Sequence, residues 1–303
     1  MNKWHYFLVD VFTDRIFGGN PLAVFPDGQE IPEPLMQKIA KEFNLSETTF
    51  VLPPKTGQGE FWVRIFTPAT ELPMAGHPTL GTAFVLAREN RIPIAGDSAQ
   101  VTFEEGVGPV PVTVRFSDGQ PSLISMEQPL PELGATLTDR AGVTAMLSLE
   151  EGDLVADLPC QAVSSGVPYL MVPVRSLAAV KRARLRLEVW EKLLGGFAAA
   201  HIYLFTRETE RPGSAVHARM FAPAAGIPED PATGSAGGPL AGYLIAHGVI
   251  QAAERVEFTC EQGFEMERES FIHVVAEGNG DRITKVTVSG ECVPTGEGWF
   301  EIP

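Results

Sequence analysis

Three ionisable residues stand where one sequence periodicity gives way to another. They are Glu47 in Asn44-Leu45-Ser46-Glu47-Thr48-Thr49-Phe50, His77 in Ala75-Gly76-His77-Pro78-Thr79, and Asp230 in Glu229-Asp230-Pro231-Ala232-Thr233-Gly234-Ser235. A histidine with an ordinary pKa of about 6.5 exchanges protons near neutral pH. Read locally, His77 is either such a group or a capping or core residue. The local pattern at Glu47 suits a surface carboxylate or a helix cap, whereas burial in a cleft would raise its pKa and let it carry a proton. Thr233, Gly234 and Ser235 precede an apolar run at 240–245. Small residues there leave backbone N–H groups bare at a helix start, where the dipole also favours an anion, so a substrate carboxylate could sit on them. An ordinary Asp or Thr cap followed by glycines for close packing explains the same letters.

Other chemistries lack their patterns. No histidine lies at metal-ligand spacing from His77 and HExxH is missing, so no metal site is predicted. His5, His201, His217, His247 and His273 have no patterned partner and read as structural. There is no GxGxxG spacing, no Walker lysine and no GxSxG elbow. Cys160, Cys260 and Cys292 form no CxxC pair, so neither a disulfide framework nor a zinc knuckle is indicated, and a reducing, cytoplasmic setting is the natural reading.

The elements that position these residues occur twice. Arg64 opens Arg-Ile-Phe-Thr-Pro-Ala-Thr-Glu-Leu-Pro-Met-Ala-Gly-His-Pro, and Arg219, 155 positions later (219 − 64), opens Arg-Met-Phe-Ala-Pro-Ala-Ala-Gly-Ile-Pro-Glu-Asp-Pro. In each copy an alternating strand runs into a proline, a Gly-containing turn and an apolar helix. The two arginines read as structural ion-pair partners or as ligands for a carboxylate. A second echo links Gly18-Gly19-Asn20-Pro21-Leu22 with Ser165-Gly166-Val167-Pro168-Tyr169.

In the first half strands are expected over 6–11, 22–25, 48–52, 100–104, 110–116 and 122–126, with helices near 35–43 and 79–88. In the second half strands are expected at 201–205, around Arg219, and at 255–259, 271–276 and 285–288, with helices near 186–194 and 240–245. Two prolines and a glycine in 128–134 mark the boundary, giving domains 1–130 and 131–303. Strands that follow one another rather than alternating with helices predict two α+β halves, and the long repeat predicts duplication of a whole domain with a shared cleft.

The 303 residues carry 44% hydrophobic and 20% charged side chains, a composition with material for two cores. A formal charge of −15 disfavours nucleic acid and anionic membrane as partners and suits a small molecule in a shielded pocket. The N-terminal stretch reads as a strand rather than an export signal, and no apolar run reaches membrane-spanning length.

Taken together, LVDVFTDRIFGGNPLAVF, NLSETTFV, RIFTPATELPMAGHPTLG and RMFAPAAGIPEDPATGSA resemble, in order, the signatures of the PhzF (phenazine biosynthesis-like) family. The resemblance implies a diaminopimelate epimerase-like fold: two pseudo-symmetric α+β domains, each a barrel-like sheet around a central helix, with the active site in the cleft between them. It implies Glu47 as principal acid/base, His77 and Asp230 as its companions in proton handling, and Gly76, Thr233, Gly234 and Ser235 as substrate-binding. The family's amino-acid racemases place a cysteine in each echo turn. Ala75 and Thr233 occupy those places here, which excludes a two-thiol racemase. What remains implied is a cofactor-independent isomerase, commonly a homodimer. The family's phenazine enzyme moves a proton between ring carbons of trans-2,3-dihydro-3-hydroxyanthranilate, a small cyclic amino acid. Dehydration of a small hydroxy or amino acid, or binding of a metabolite without catalysis, are the alternatives.

Overall fold

The computed structural model describes residues 2–279 and 282–302. It divides into two units, one of residues up to Glu127 together with those from Val288 onward, the other Gln128–Thr287.

The first unit begins with strands β1 (Asn2–Val11) and β2 (Asn20–Phe25), followed by helix α1 (Glu33–Phe43). Pro34 sits in the first turn of α1, where its missing N–H costs no hydrogen bond. Asn44 then ends the helix in the left-handed conformation, φ 51°, with its N–H on the Ala40 carbonyl. That reversal is why Glu47 opens β3 (Glu47–Leu52) only three residues further on. Met36, Ile39 and Ala40 of α1 pack with Trp4, Phe25, Phe50 and Phe66. The unit continues with β4 (Phe61–Phe66), β5 (Glu71–Leu72), α2 (Gly76–Arg88), β6 (Ile94–Ala95), β7 (Ser98–Glu105), β8 (Gly108–Ser117) and β9 (Gln120–Gln128).

Helix α2 is buried from Gly76 to Ala87, and strands β1, β2, β3, β7 and β8 pack around it. A helix apolar on every side belongs in the middle of a core. It starts three residues before the expected position 79 because Pro78 is tolerated in a first turn. His77 therefore lies inside the helix rather than in the turn before it.

The second unit carries β10 (Glu132–Leu137), α3 (Arg140–Leu147), β11 (Cys160–Ser164), β12 (Pro168–Pro173), α4 (Leu177–Arg182), α5 (Leu187–Leu194), β13 (His201–Thr206), β14 (Val216–Ala222), β15 (Ile227–Asp230), α6 (Gly237–Ala246), β16 (Arg255–Gln262) and β17 (Ser270–Asn279). Strands β10, β11, β12 and β17 surround α6, as their counterparts surround α2. Two helices per half were expected, but α3 and α4 are additional. Each is short and starts on a side-chain cap, Asp139 on the Gly142 N–H and Ser176 on the Ala179 N–H. Strands β18 (Arg282–Gly290) and β19 (Cys292–Ile302) close the chain. β19 pairs antiparallel with β1 from Asn2–Ile302 to Val11–Cys292, which ties the last residues to the first unit. The units join in the chain at Glu127/Gln128 and again at Thr287/Val288, so the first unit is built from two separated pieces.

The duplication extends to strand register. β2 and β3 are parallel with Leu22 opposite Glu47; β12 and β13 are parallel with Tyr169 opposite His201. β4 and β7 are parallel with Trp62 opposite Glu104; β14 and β16 are parallel with His217 opposite Glu261. Arg64 and Arg219 follow Trp62 and His217 by two positions, and Glu104-Glu105-Gly106 matches Glu261-Gln262-Gly263. Both glycines are needed for close approach. A Cβ on Gly106 would lie 2.6 Å from the Pro73 Cα, and one on Gly263 would lie 2.5 Å from the Pro231 carbonyl oxygen.

Candidate active site

Glu47 and His77 come together in the first unit. Glu47 enters from the first position of β3 and His77 from the first turn of α2, and they are 5% and 3% exposed. Glu47 Oε2 lies 3.3 Å from His77 Nε2. Burial pushes the His77 pKa down to about 3, so the imidazole is neutral across the physiological range. Its Nε2 makes no hydrogen bond among the described residues. A buried carboxyl beside an uncharged imidazole is a pair suited to passing a proton without creating two buried charges. Gly76, the residue before His77, is the first residue of α2 and brings its backbone to the same helix start.

The remaining sequence-derived site residues lie in the second unit. Asp230 ends β15 and accepts the Thr233 hydroxyl at 2.6 Å; Gln262 donates to the Asp230 carbonyl at 2.7 Å and to Thr233 Oγ1 at 3.0 Å. Thr233, Gly234 and Ser235 enter α6 through a single 3₁₀ turn, Gly234–Ala236, and all three are buried. Ser235 Oγ is 2.7 Å from the Tyr169 hydroxyl. Gln128 clamps the same turn, donating to the Gly234 carbonyl at 3.0 Å and accepting the Gly238 N–H at 2.8 Å.

Three polar residues at these helix starts escape the motif reading: Tyr169, Gln262 and Gln128. His201, read as structural, occupies the register position in β13 that Glu47 holds in β3, and its buried Nδ1 makes no hydrogen bond among the described residues. The signal for Gln262 was present in the sequence, since Glu261-Gln262-Gly263 echoes Glu104-Glu105-Gly106 about as closely as the arginine segments echo each other. Tyr169 falls in the second echo and Gln128 in the boundary segment, but neither pattern points to chemistry, because their roles come from which strand end they occupy.

The two echo arginines are structural. Arg64 forks onto Glu71 at 2.7 and 2.8 Å and reaches Glu33 at 2.7 Å. Arg219 forks onto Glu229 at 2.7 and 2.8 Å and donates to the Val180 and Ala183 carbonyls. Glu229 is therefore an ion-pair partner, although its neighbour Asp230 takes part in the polar cluster. Glu104 and Glu261 serve as loop anchors. Burial raises the Glu104 pKa, but the N–H groups of Lys55, Thr56 and Gln58 and the Thr56 hydroxyl outweigh it and hold the group down to about 2. Glu261 accepts the N–H groups of Glu210 and Arg211 and faces His217 Nδ1 at 2.7 Å.

Two sheet-wrapped units, each with a buried helix that begins in a polar cluster, define an α+β protein of the diaminopimelate epimerase-like fold. The family model for the phenazine biosynthesis-like protein matches residues 9–298. The chain belongs to the PhzF (phenazine biosynthesis-like) family. It is 37% identical over 294 residues to trans-2,3-dihydro-3-hydroxyanthranilate isomerase of Pseudomonas chlororaphis, covering 97% of this chain and 98% of the relative. It is 38% identical over 304 residues to a protein of Mesorhizobium japonicum named an uncharacterized isomerase, covering 98% and 99%. The crystal structure of a PhzF-family phenazine biosynthesis protein from Bacillus anthracis superposes with a TM-score of 0.90 at 27% identity, over all of both chains. The chain is accordingly an enzyme of the isomerase class. Among the described residues no helix is long and apolar enough to cross a membrane.

Proposed function

We propose that this protein is a cofactor-independent isomerase that moves a proton between carbons of a small, cyclic, amino-acid-like carboxylate. Glu47 is the acid/base. Its carboxylate takes a proton from one ring carbon, the electron pair left behind spreads into the adjoining unsaturated system, and the new carboxylic acid returns the proton to a second carbon on the same face. Atoms and charge balance without an external acceptor. Beside Glu47 in the first unit, His77 and Gly76 position the substrate and stabilise the developing charge. The observation that carries the reading is the buried Glu47–His77 contact at 3.3 Å, in which burial keeps the imidazole uncharged. The P. chlororaphis relative's name supplies the substrate to try first.

The direct test is turnover of trans-2,3-dihydro-3-hydroxyanthranilate in deuterated solvent by the wild type and by Glu47→Gln. An isomerase of this kind forms the proton-shifted product, with deuterium at carbon to the extent that the Glu47 acid exchanges with solvent before returning the proton. The substitution lowers kcat by about 10²- to 10⁴-fold, the usual contribution of a general acid/base. Normal turnover by the Gln variant would remove Glu47 from the mechanism. Loss of water rather than proton relocation would redirect the reading to a dehydratase, and saturable binding without exchange or turnover would refute this substrate.

A further inference from the structure

Glu105 is a carboxyl that the reaction proposed above does not use. It ends β7, is 6% exposed, and sets Oε1 2.6 Å from Thr79 Oγ1 at the start of α2. The same Thr79 oxygen lies 2.7 Å from the Ala75 carbonyl oxygen. A threonine hydroxyl has one proton and cannot donate to both acceptors. Were Glu105 ionised, one of these short contacts would bring two lone-pair-bearing oxygens together with no hydrogen between them. A proton on Glu105 resolves it: the acid donates to Thr79, and Thr79 donates to Ala75.

The second unit provides an independent comparison. The residue matching Glu105 is Gln262, a group that is neutral at every pH. Its amide donates to Thr233 Oγ1 at 3.0 Å, and Thr233 donates onward to Asp230 Oδ2 at 2.6 Å. In both copies the strand residue thus reaches a threonine hydroxyl beside the central helix's start, although Thr233 matches Ala75 rather than Thr79, and the strand residue is once an amide and once a carboxyl. A neutral acid is the form of glutamate that can take the amide's part.

We propose that Glu105 is a positioning residue that works as a neutral carboxylic acid, closing the first turn of α2 through Thr79 and so fixing His77. The placement of His77 in the site rests on the functional reading above, whereas the protonation of Glu105 does not.

The surroundings agree. Glu105 Oε2 is buried without a hydrogen bond among the described residues, a modest cost for a neutral carbonyl oxygen and a large one for an ionised carboxylate. The other charged residues lining the adjacent cavity are Lys55, Glu71 and Glu104. Glu71 is engaged by Arg64, Glu104 by its loop, and the Lys55 ammonium lies over the Trp62 ring at 4.7 Å. His77, on the helix that Glu105 faces, is uncharged. Burial, opposed only by the Thr79 hydrogen bond, raises the Glu105 pKa to about 8.

Three measurements test this. In the linkage measurement, the unfolding equilibria of wild type and Glu105→Gln are compared across pH. The folded wild type retains a proton that the unfolded chain releases, so its unfolding constant relative to the variant rises about tenfold per pH unit from roughly pH 5 to 8, then levels off. A ratio that stays flat over that range overturns the proposal. In the second, wild-type protein labelled with [13Cδ]glutamate is titrated by NMR. A carboxyl carbon with a midpoint near 8, displaced in Thr79→Val, is expected; finding the Thr79-sensitive carbon in the ordinary glutamate range overturns it, and this holds even if Glu105→Gln fails to fold.

The third is the pH profile of kcat/KM on a verified substrate. The wild type loses activity above about pH 8, Glu105→Ala is impaired at pH 7, and Glu105→Gln restores the rate and removes the alkaline limb. An alkaline limb that persists unchanged in Glu105→Gln removes the positioning role. If Glu47→Gln proved fully active while the carbon still titrated near 8, the functional reading would fail and the protonation of Glu105 would stand.

Discussion

Glu47 Oε2 and His77 Nε2 approach to 3.3 Å with both side chains almost completely buried. A carboxylate at that distance favours imidazolium and burial opposes it, and burial prevails at His77. The histidine therefore serves as an uncharged dipole beside the carboxyl, and the proposed function gives proton exchange to Glu47.

This assignment has a signature in stability. The folded pKa of His77 lies below its unfolded value of about 6.5, so its contribution is fully present above pH 6.5 and is lost as pH falls toward 3. Between pH 6.5 and 4.5, wild type should lose about 1.4 kcal/mol per pH unit relative to His77→Gln. Urea unfolding of both proteins at three pH values in that window measures the slope. A difference independent of pH would mean that folded His77 titrates normally. In activity, His77 should produce no limb near pH 6.5.

The two arginine forks should differ in worth. Arg219 is 4% exposed and its partner Glu229 is 19% exposed at the side chain, whereas Arg64 pairs with Glu33 and Glu71, which are 72% and 42% exposed. Arg219→Ala also leaves the Val180 and Ala183 carbonyls without a donor. A cost of about 3–5 kcal/mol is expected for Arg219→Ala, as for other broken buried pairs, and a smaller one for Arg64→Ala, where water can replace the lost partner. Lysine should rescue neither fully, because it cannot make the fork. Denaturant midpoints of the four variants decide the order.

Thiol chemistry should leave the enzyme untouched. Burial raises the pKa of Cys160 to about 11 and of Cys260 to about 12, and raises that of Cys292 further. With the thiolate suppressed and Ala75 and Thr233 in the echo turns, iodoacetamide at pH 7.5 should neither inactivate the enzyme nor label these residues quickly until it is unfolded. Rapid inactivation that tracks labelling of one cysteine would contradict the carboxyl-based mechanism.

Much of the fold was legible because duplication repeats its signals. β1, β2, β3, α1 and α6 lie close to where periodicity and turn residues placed them, and Asn44 explains why Glu47 sits at a junction. Composition was silent about α3 and α4, whose six to eight residues are too few to show a period. Of the candidate site, Glu47 and His77 could be named from motifs, but their contact depends on the spacing between a strand start and a helix start, which no local pattern encodes. No motif singles out Glu105, one position past the strand expected over 100–104. Its burial and its contact with Thr79 come from the packing of β7 against the start of α2, which no local pattern encodes.

The pairing of β19 with β1 also bears on how the protein is made. On the ribosome the first strand emerges almost three hundred residues before the strand that completes it on one edge, Cys292–Ile302. All of Gln128–Thr287 is synthesised in between as one uninterrupted stretch. The later-encoded unit is therefore fully synthesised before the earlier one has its final strand, the reverse of the usual N-terminal-first order in which domains become complete. Until Cys292–Ile302 has emerged, the nascent chain presents an open β1 edge, the kind of surface that native proteins keep covered.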